Sequence, residues 1–233
     1  MTELTGRRHA RPDRSVRYGA HPSQVIDVYG DGPPRVVVLH GGFWREAYDR
    51  RHLSPFAAAL VERGLCVALP EYRRSGGGGG WPETFDDVTA ALAALPGTEP
   101  VVLAGHSAGG HLALWAASRG SERIGRTVAV APVADLTRAD ELGLGNDAVA
   151  EFLGARRPTL LPRLDPLLLP TPPAPVTLLH GTDDSQVPLE LSMNYQERHG
   201  AQLLRLPGVG HYAPVTPGTS GFATLALVLE RVS

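Results

Sequence analysis

Val101-Val102-Leu103-Ala104-Gly105-His106-Ser107-Ala108-Gly109, continued by Gly110-His111-Leu112-Ala113-Leu114, reads as a buried strand, a tight turn and an apolar helix. A serine at a sharp strand-to-helix turn is held out above the end of a sheet. The glycines flanking it are needed because side chains there would collide with the adjacent strand and helix. The backbone N–H of Ala108, at the helix start, points to where negative charge would develop on an attacked carbonyl oxygen. The bare pattern G-x-S-x-G could also be a plain glycine-rich turn. The strand before it and the helix after it make Ser107 the candidate nucleophile.

Outward from this turn the chain alternates between short apolar runs and helix-like stretches. Residues 35–39, 65–69, 100–104, 127–131, 176–179 and 202–206 have the continuous apolar character of strands covered on both faces, and 24–29 alternates like a half-buried strand. Residues 55–63, 84–95, 108–118, 189–199 and 222–231 read as helices. Strand followed by helix, repeated, predicts right-handed βαβ units, a mostly parallel sheet and a three-layer α/β sandwich. Two segments break the rhythm. Residues 75–80 hold five successive glycines and read as a mobile loop, and 135–175 is long for a crossover and reads as a small cap with one helix around 147–153. Residues 1–15 read as flexible, and the whole of 1–233 as one domain, since 233 residues at 42% hydrophobic content support a single core.

A serine hydroxyl needs a base, and the base needs a carboxylate to orient it. His211 lies in Gly208-Val209-Gly210-His211-Tyr212 after the run 202–206. Asp183 and Asp184 lie in His180-Gly181-Thr182-Asp183-Asp184 after the run 176–179. Asp184 is the expected acid, with Asp183 as its alternative and Asp135, after the run 127–131, in reserve. His40-Gly41-Gly42-Phe43-Trp44 follows the run 35–39, where the main-chain N–H groups of Gly42 and Phe43 can join that of Ala108 in holding an oxyanion. The competing reading is a simple turn with Phe43 and Trp44 in the core. His40 is expected to brace this loop and not to act as a base. Phe43, Trp44, Trp81 and Tyr212 are candidate aromatic walls for a substrate, with ordinary core packing as the alternative for each. His111, one helical turn after Ser107, reads as a hydrogen-bonded structural histidine.

The net charge of -2 gives no broad attraction to nucleic acid or an anionic membrane, which favours small neutral partners. No run of about 18 apolar residues occurs. The polar, Arg-rich residues 1–12 contain no apolar leader segment, and Cys66 is the sole cysteine, so the sequence predicts a cytoplasmic protein. No His/Asp/Glu spacing resembles a zinc site, and no phosphate-cradling glycine motif occurs. Nothing in the sequence excludes a homodimer.

With these residues assembled, the chain resembles the α/β-hydrolase superfamily. Within it, the esterase/kynurenine formamidase-like group that carries an H-G-G-x-W loop is the most similar. The resemblance runs from about Tyr18 to Pro214. It rests on His40 to Trp44, Glu71-Tyr72-Arg73, Trp81-Pro82, Asp86-Asp87-Val88, Gly105 to Gly110, Phe152-Leu153-Gly154, Asp165-Pro166-Leu167, His180 to Pro188, and Gly210-His211. It implies no metal or organic cofactor and places the acid at Asp184. It also implies hydrolysis of a small ester or aryl formamide by Ser107, His211 and Asp184 through an acyl-enzyme. A peptidase acting on short peptides and a non-catalytic ligand-binding member of the fold are the alternatives. The first would need a larger accessory domain. The second would have no use for Ser, Asp and His kept together on three loops. The run Gly76 to Gly80 departs from the family pattern and leaves one side wall of the site undefined.

Overall fold

The computed structural model describes residues 8–231. Among the described residues, eight strands form one sheet: β1 (Arg14–Arg17), β2 (Val25–Tyr29), β3 (Val36–Leu39), β4 (Val67–Pro70), β5 (Val101–His106), β6 (Ile124–Val130), β7 (Val176–Gly181) and β8 (Gln202–Leu206). Their spatial order is β1-β2-β4-β3-β5-β6-β7-β8. The pairs β1/β2 and β2/β4 are antiparallel and every later pair is parallel. Strands β3, β4 and β5 are buried along their whole length, as their Val/Leu/Ala-rich content requires of strands with helices on both faces.

Eight α-helices among the described residues accompany the sheet: α1 (Ser54–Val61), α2 (Glu83–Ala93), α3 (Ala108–Ser118), α4 (Leu136–Glu141), α5 (Leu144–Leu153), α6 (Arg157–Leu164), α7 (Leu189–His199) and α8 (Ser220–Glu230). One apolar layer gathers Val37, Leu39, Leu103, Phe85, Leu112 and Phe152. The opposite layer gathers Val36, Val38, Phe56, Leu60, Phe222 and Leu225. This is the mostly parallel three-layer sandwich expected, and it is the α/β-hydrolase fold. No helix among the described residues is long and apolar enough to cross a membrane.

Three expectations change. The part of residues 1–15 that is described ends in an ordered edge strand, β1, while residues 1–7 lie outside the described chain. With Val16 as its one apolar side chain, β1 gives no hydrophobic signal. It is held by backbone pairing to β2 and by Ser15 Oγ donating to Asp27 Oδ1 at 2.6 Å. The glycine run is a sequence of packed turns. Gly77 and Gly79 donate to the Arg74 carbonyl at 2.9 Å, and Gly80 donates to Thr84 Oγ1 at 2.9 Å. A Cβ on Gly79 would lie 2.3 Å from the Arg73 and Arg74 backbone, so close approach explains that glycine. The cap, finally, holds the three helices α4 to α6 where one was expected.

A very close main-chain approach lies under the elbow. A Cβ on Gly109 would stand 2.1 Å from the Leu39 carbonyl oxygen and 2.4 Å from that of His40. A Cβ on Gly210 would meet only one atom, at 3.8 Å. Gly109→Ala should therefore cost about 3 kcal/mol or more. Gly210→Ala should stay within about 0.5 kcal/mol in chemical denaturation, and equal costs would contradict the close crossing.

Candidate active site

Ser107 sits between β5 and α3 with φ 57° and ψ -120°, a conformation that bulky L-residues avoid, and it is only 3% exposed. The turn is over-determined. Ser107 N–H donates to the Val130 carbonyl at 2.9 Å, and its own carbonyl accepts from His111 N–H at 3.1 Å and Val133 N–H at 3.3 Å. Strain held in this way by surrounding hydrogen bonds is a mark of functional sites.

His211 Nδ1 donates to Asp184 Oδ2 at 2.6 Å, with both side chains almost wholly enclosed. The other Asp184 oxygen accepts the N–H groups of Gln186 and Val187 at 2.8 and 2.9 Å, and His180 Nε2 stands 3.3 Å from Oδ2. Burial alone would raise the carboxyl pKa. The hydrogen bonds to His180 and His211 outweigh it and hold Asp184 below the ordinary carboxylate range, so it stays ionised beside the imidazole. Asp183 turns outward and accepts from Thr182 Oγ1 at 3.0 Å. Asp135 caps α4 through Arg138 N–H and accepts from Asn194 Nδ2 at 2.8 Å, a structural role away from His211.

The histidine loop is tied to the serine turn by a contact the sequence reading missed. His106, the residue before Ser107, donates through Nε2 to the His211 carbonyl at 3.0 Å, and the two rings lie 4.6 Å apart. Burial, reinforced by the nearby His211, pushes the His106 pKa well below its usual value, which keeps that ring neutral and its tautomer fixed. The contacts of His211 run through Nδ1 and its carbonyl, which leaves Nε2 free of the Asp184 bond. A direct Ser107 Oγ to His211 Nε2 hydrogen bond is not formed. Such bonds are often long before a substrate is bound.

His40-Gly41-Gly42 lies against the elbow, where a Cβ on Gly41 would stand 3.0 Å from Ser107 Cβ. His40 braces this loop. Its Nδ1 donates to the Gly41 carbonyl at 2.8 Å, its Nε2 faces Glu71 Oε1 at 2.8 Å, and its ring stacks on Tyr72 with centroids 4.4 Å apart. Burial, then Arg74, pushes its pKa down to about 3. Gly42 and Phe43 both have positive φ, 113° and 53°. The candidate walls separate. Tyr212 is half-buried, with its ring 4.8 Å from that of His211. Trp81 is pinned between Phe85 and Arg163. Trp44 is corrected to a core residue, 1% exposed and stacked on Phe152 at 4.8 Å, so it offers no wall. His111 is buried, with Nε2 donating to the Leu164 carbonyl at 3.0 Å, as a structural histidine should be.

A strained serine at a strand-to-helix elbow, with a carboxylate-bound histidine hung from the next loops of a mostly parallel sheet, defines the class as α/β-hydrolase. The chain belongs to the BD-FAE family, whose model matches residues 26–198. Among curated proteins none matches. Esterase B of Lactobacillus rhamnosis is similar in fold at 20% identity, covering 96% of this chain and 87% of that one, with a TM-score of 0.76. A carbohydrate esterase from gut microbiota is similar at 18% identity, with 95% and 96% covered and a TM-score of 0.79. A Pyrobaculum calidifontis esterase is similar at 19% identity, with 98% and 87% covered and a TM-score of 0.74.

In proton NMR, the shared Nδ1 proton of His211 should give a low-field resonance. Asp183→Asn should keep it and Asp184→Asn should remove it. A resonance that survives Asp184→Asn would take the acid role away from that carboxylate.

Proposed function

We propose that the chain is a serine hydrolase acting on small carboxylic esters. The observation that carries this reading is the 2.6 Å bond between His211 and Asp184, anchored beside Ser107 by His106. Ser107 Oγ attacks the substrate carbonyl carbon as its proton passes to His211 Nε2. Asp184 stabilises the resulting imidazolium, and main-chain N–H groups of Ala108 and of Gly42 or Phe43 hold the oxyanion. The tetrahedral adduct collapses, His211 gives its proton to the departing alcohol, and an acyl-serine remains. Water, deprotonated by His211, attacks that ester, and the released Ser107 oxygen recovers the proton. Tyr212, whose ring lies against that of His211, is the candidate aromatic wall for the substrate in this scheme.

Support for an ester substrate comes from the site and from the similar folds, which include a carbohydrate esterase and an acetyl ester-xyloside bifunctional hydrolase. A second reading, cleavage of aryl formamides, rests on the His40 to Trp44 loop. The cap over residues 135–175 favours short acyl groups, with formyl and acetyl groups on phenols or aryl amines as the best substrates. No cofactor has a part in either scheme, and the partner is a small-molecule ester or amide.

Ser107→Ala and His211→Ala should each lower aryl acetate turnover by on the order of 10⁴-fold, and the double variant by little more, because the residues act as one unit. A double loss equal to the product of the single losses would contradict a shared mechanism. Across acetyl, butyryl and octanoyl esters, efficiency should fall by about tenfold per ill-fitting carbon. A preference for octanoyl would overturn the small-acyl reading. Turnover of N-formylkynurenine decides between ester-only and formamide chemistry.

A further inference from the structure

The residues after Gly42 are held from above by one helix of the cap. Gly42 to Arg45 is a tight turn closed by Arg45 N–H donating to the Gly42 carbonyl at 3.0 Å, with positive φ at both central residues, Phe43 at 53° and Trp44 at 57°. That pattern suits Gly or Asn, and left-handed backbone costs a residue with a Cβ roughly 1–2 kcal/mol. Two bulky aromatic residues keep it here because their side chains are gripped. The Trp44 indole stacks on Phe152 of α5. The Phe43 ring fills the space beside Gly145, where a Cβ would lie 2.4 Å from it. Arg45 Nε donates to Glu151 Oε2 at 2.7 Å and its NH2 group to the Asn146 carbonyl at 3.0 Å. The gripping end of α5 is itself left-handed: Gly145, Asn146 and Asp147 have φ of 63°, 55° and 57°. Two strained turns, far apart in sequence, thus face each other and lock through Phe43 on Gly145 and Arg45 on Asn146.

We propose that α5 is the positioning element for the oxyanion turn, with Arg45 and Gly145 as positioning residues that fix the Phe43 main chain for catalysis. This rests on the reading above in which that turn supplies an oxyanion donor. Displacing the cap would release Phe43, so cap docking and competence to stabilise the oxyanion are one event.

Arg45 is 25% exposed at its side chain and Glu151 46%, so as a mere surface ion pair they would contribute little to stability and nothing to turnover. Arg45→Met should therefore leave the melting temperature nearly unchanged. It should lower kcat on an aryl acetate about tenfold to a hundredfold, with KM changing less than about threefold, because small misplacements of a catalytic group are costly. Arg45→Lys, which restores a charge for Glu151 but lacks the fork that also reaches Asn146, should fall between. Gly145→Ala should lower kcat in the same way. Hydrogen exchange read by mass spectrometry should rise in Arg45→Met in the peptides spanning 40–47 and 143–150 together. A wild-type kcat in Arg45→Met, or exchange raised in the cap peptide alone, overturns the proposal. If the wild-type chain cleaves no ester, the esterase reading falls and the catalytic role of the grip with it, while the paired exchange still decides whether α5 holds the turn.

Discussion

The constraint on which the site depends is the crossing of α3 over the end of β3. The helix passes so close that Gly109 lies where a Cβ would stand 2.1 Å from the Leu39 carbonyl oxygen. That approach forces Ser107 into its strained conformation at the head of the helix and presses the His40 to Gly42 loop against the serine. A serine at the tip of a looser turn would be free to choose other rotamers and backbone angles.

A buried polar cluster fixes the second side of the site. Glu71, almost wholly enclosed, accepts from Arg50 N–H and Tyr72 N–H, faces His40 Nε2 and pairs with Arg74. Arg50 in turn pairs with Asp27 at 2.7 Å. A carboxylate in this position is costly unless every lone pair is used, and removing one partner leaves an uncompensated charge. The cluster borders His40 at Nε2, while the ring's Nδ1 bond to the Gly41 carbonyl ties it to the glycine turn beside Ser107. The cap completes this arrangement from above by way of Trp44, Phe43 and Arg45.

What the sequence made legible follows from the physics that writes patterns into sequence. Strands covered on both faces must be apolar throughout, so β3 to β7 announce themselves within a few residues. The elbow glycines are dictated by close approach, so Ser107 stands out. The order of serine, acid and histidine along the chain led to His211 and to the neighbours Asp183 and Asp184, of which the family resemblance singled out Asp184, and the fold brings the Asp184 and His211 side chains together. What was hidden depends on long-range partners. β1 is held by main-chain pairing and has almost no apolar side chains to reveal it. The five glycines between Ser75 and Trp81 look like a flexible tether, yet Gly79 is there because backbone passes beside it. Trp44 carries the same motif whether it faces a ligand or a core, and only the presence of Phe152 across from it settles the matter. His106 occupies the variable position of the elbow pattern, so nothing local marked it as the donor to the His211 carbonyl.

The central claim is that Ser107 is a nucleophile activated by His211. Incubating the chain with a fluorophosphonate and mapping the adduct by peptide mass spectrometry tests it most directly. The account predicts one phosphonyl group per chain, on Ser107, with labelling slowed by orders of magnitude in His211→Ala. No adduct, an adduct on another serine, or labelling of Ser107 at an undiminished rate in His211→Ala would contradict it.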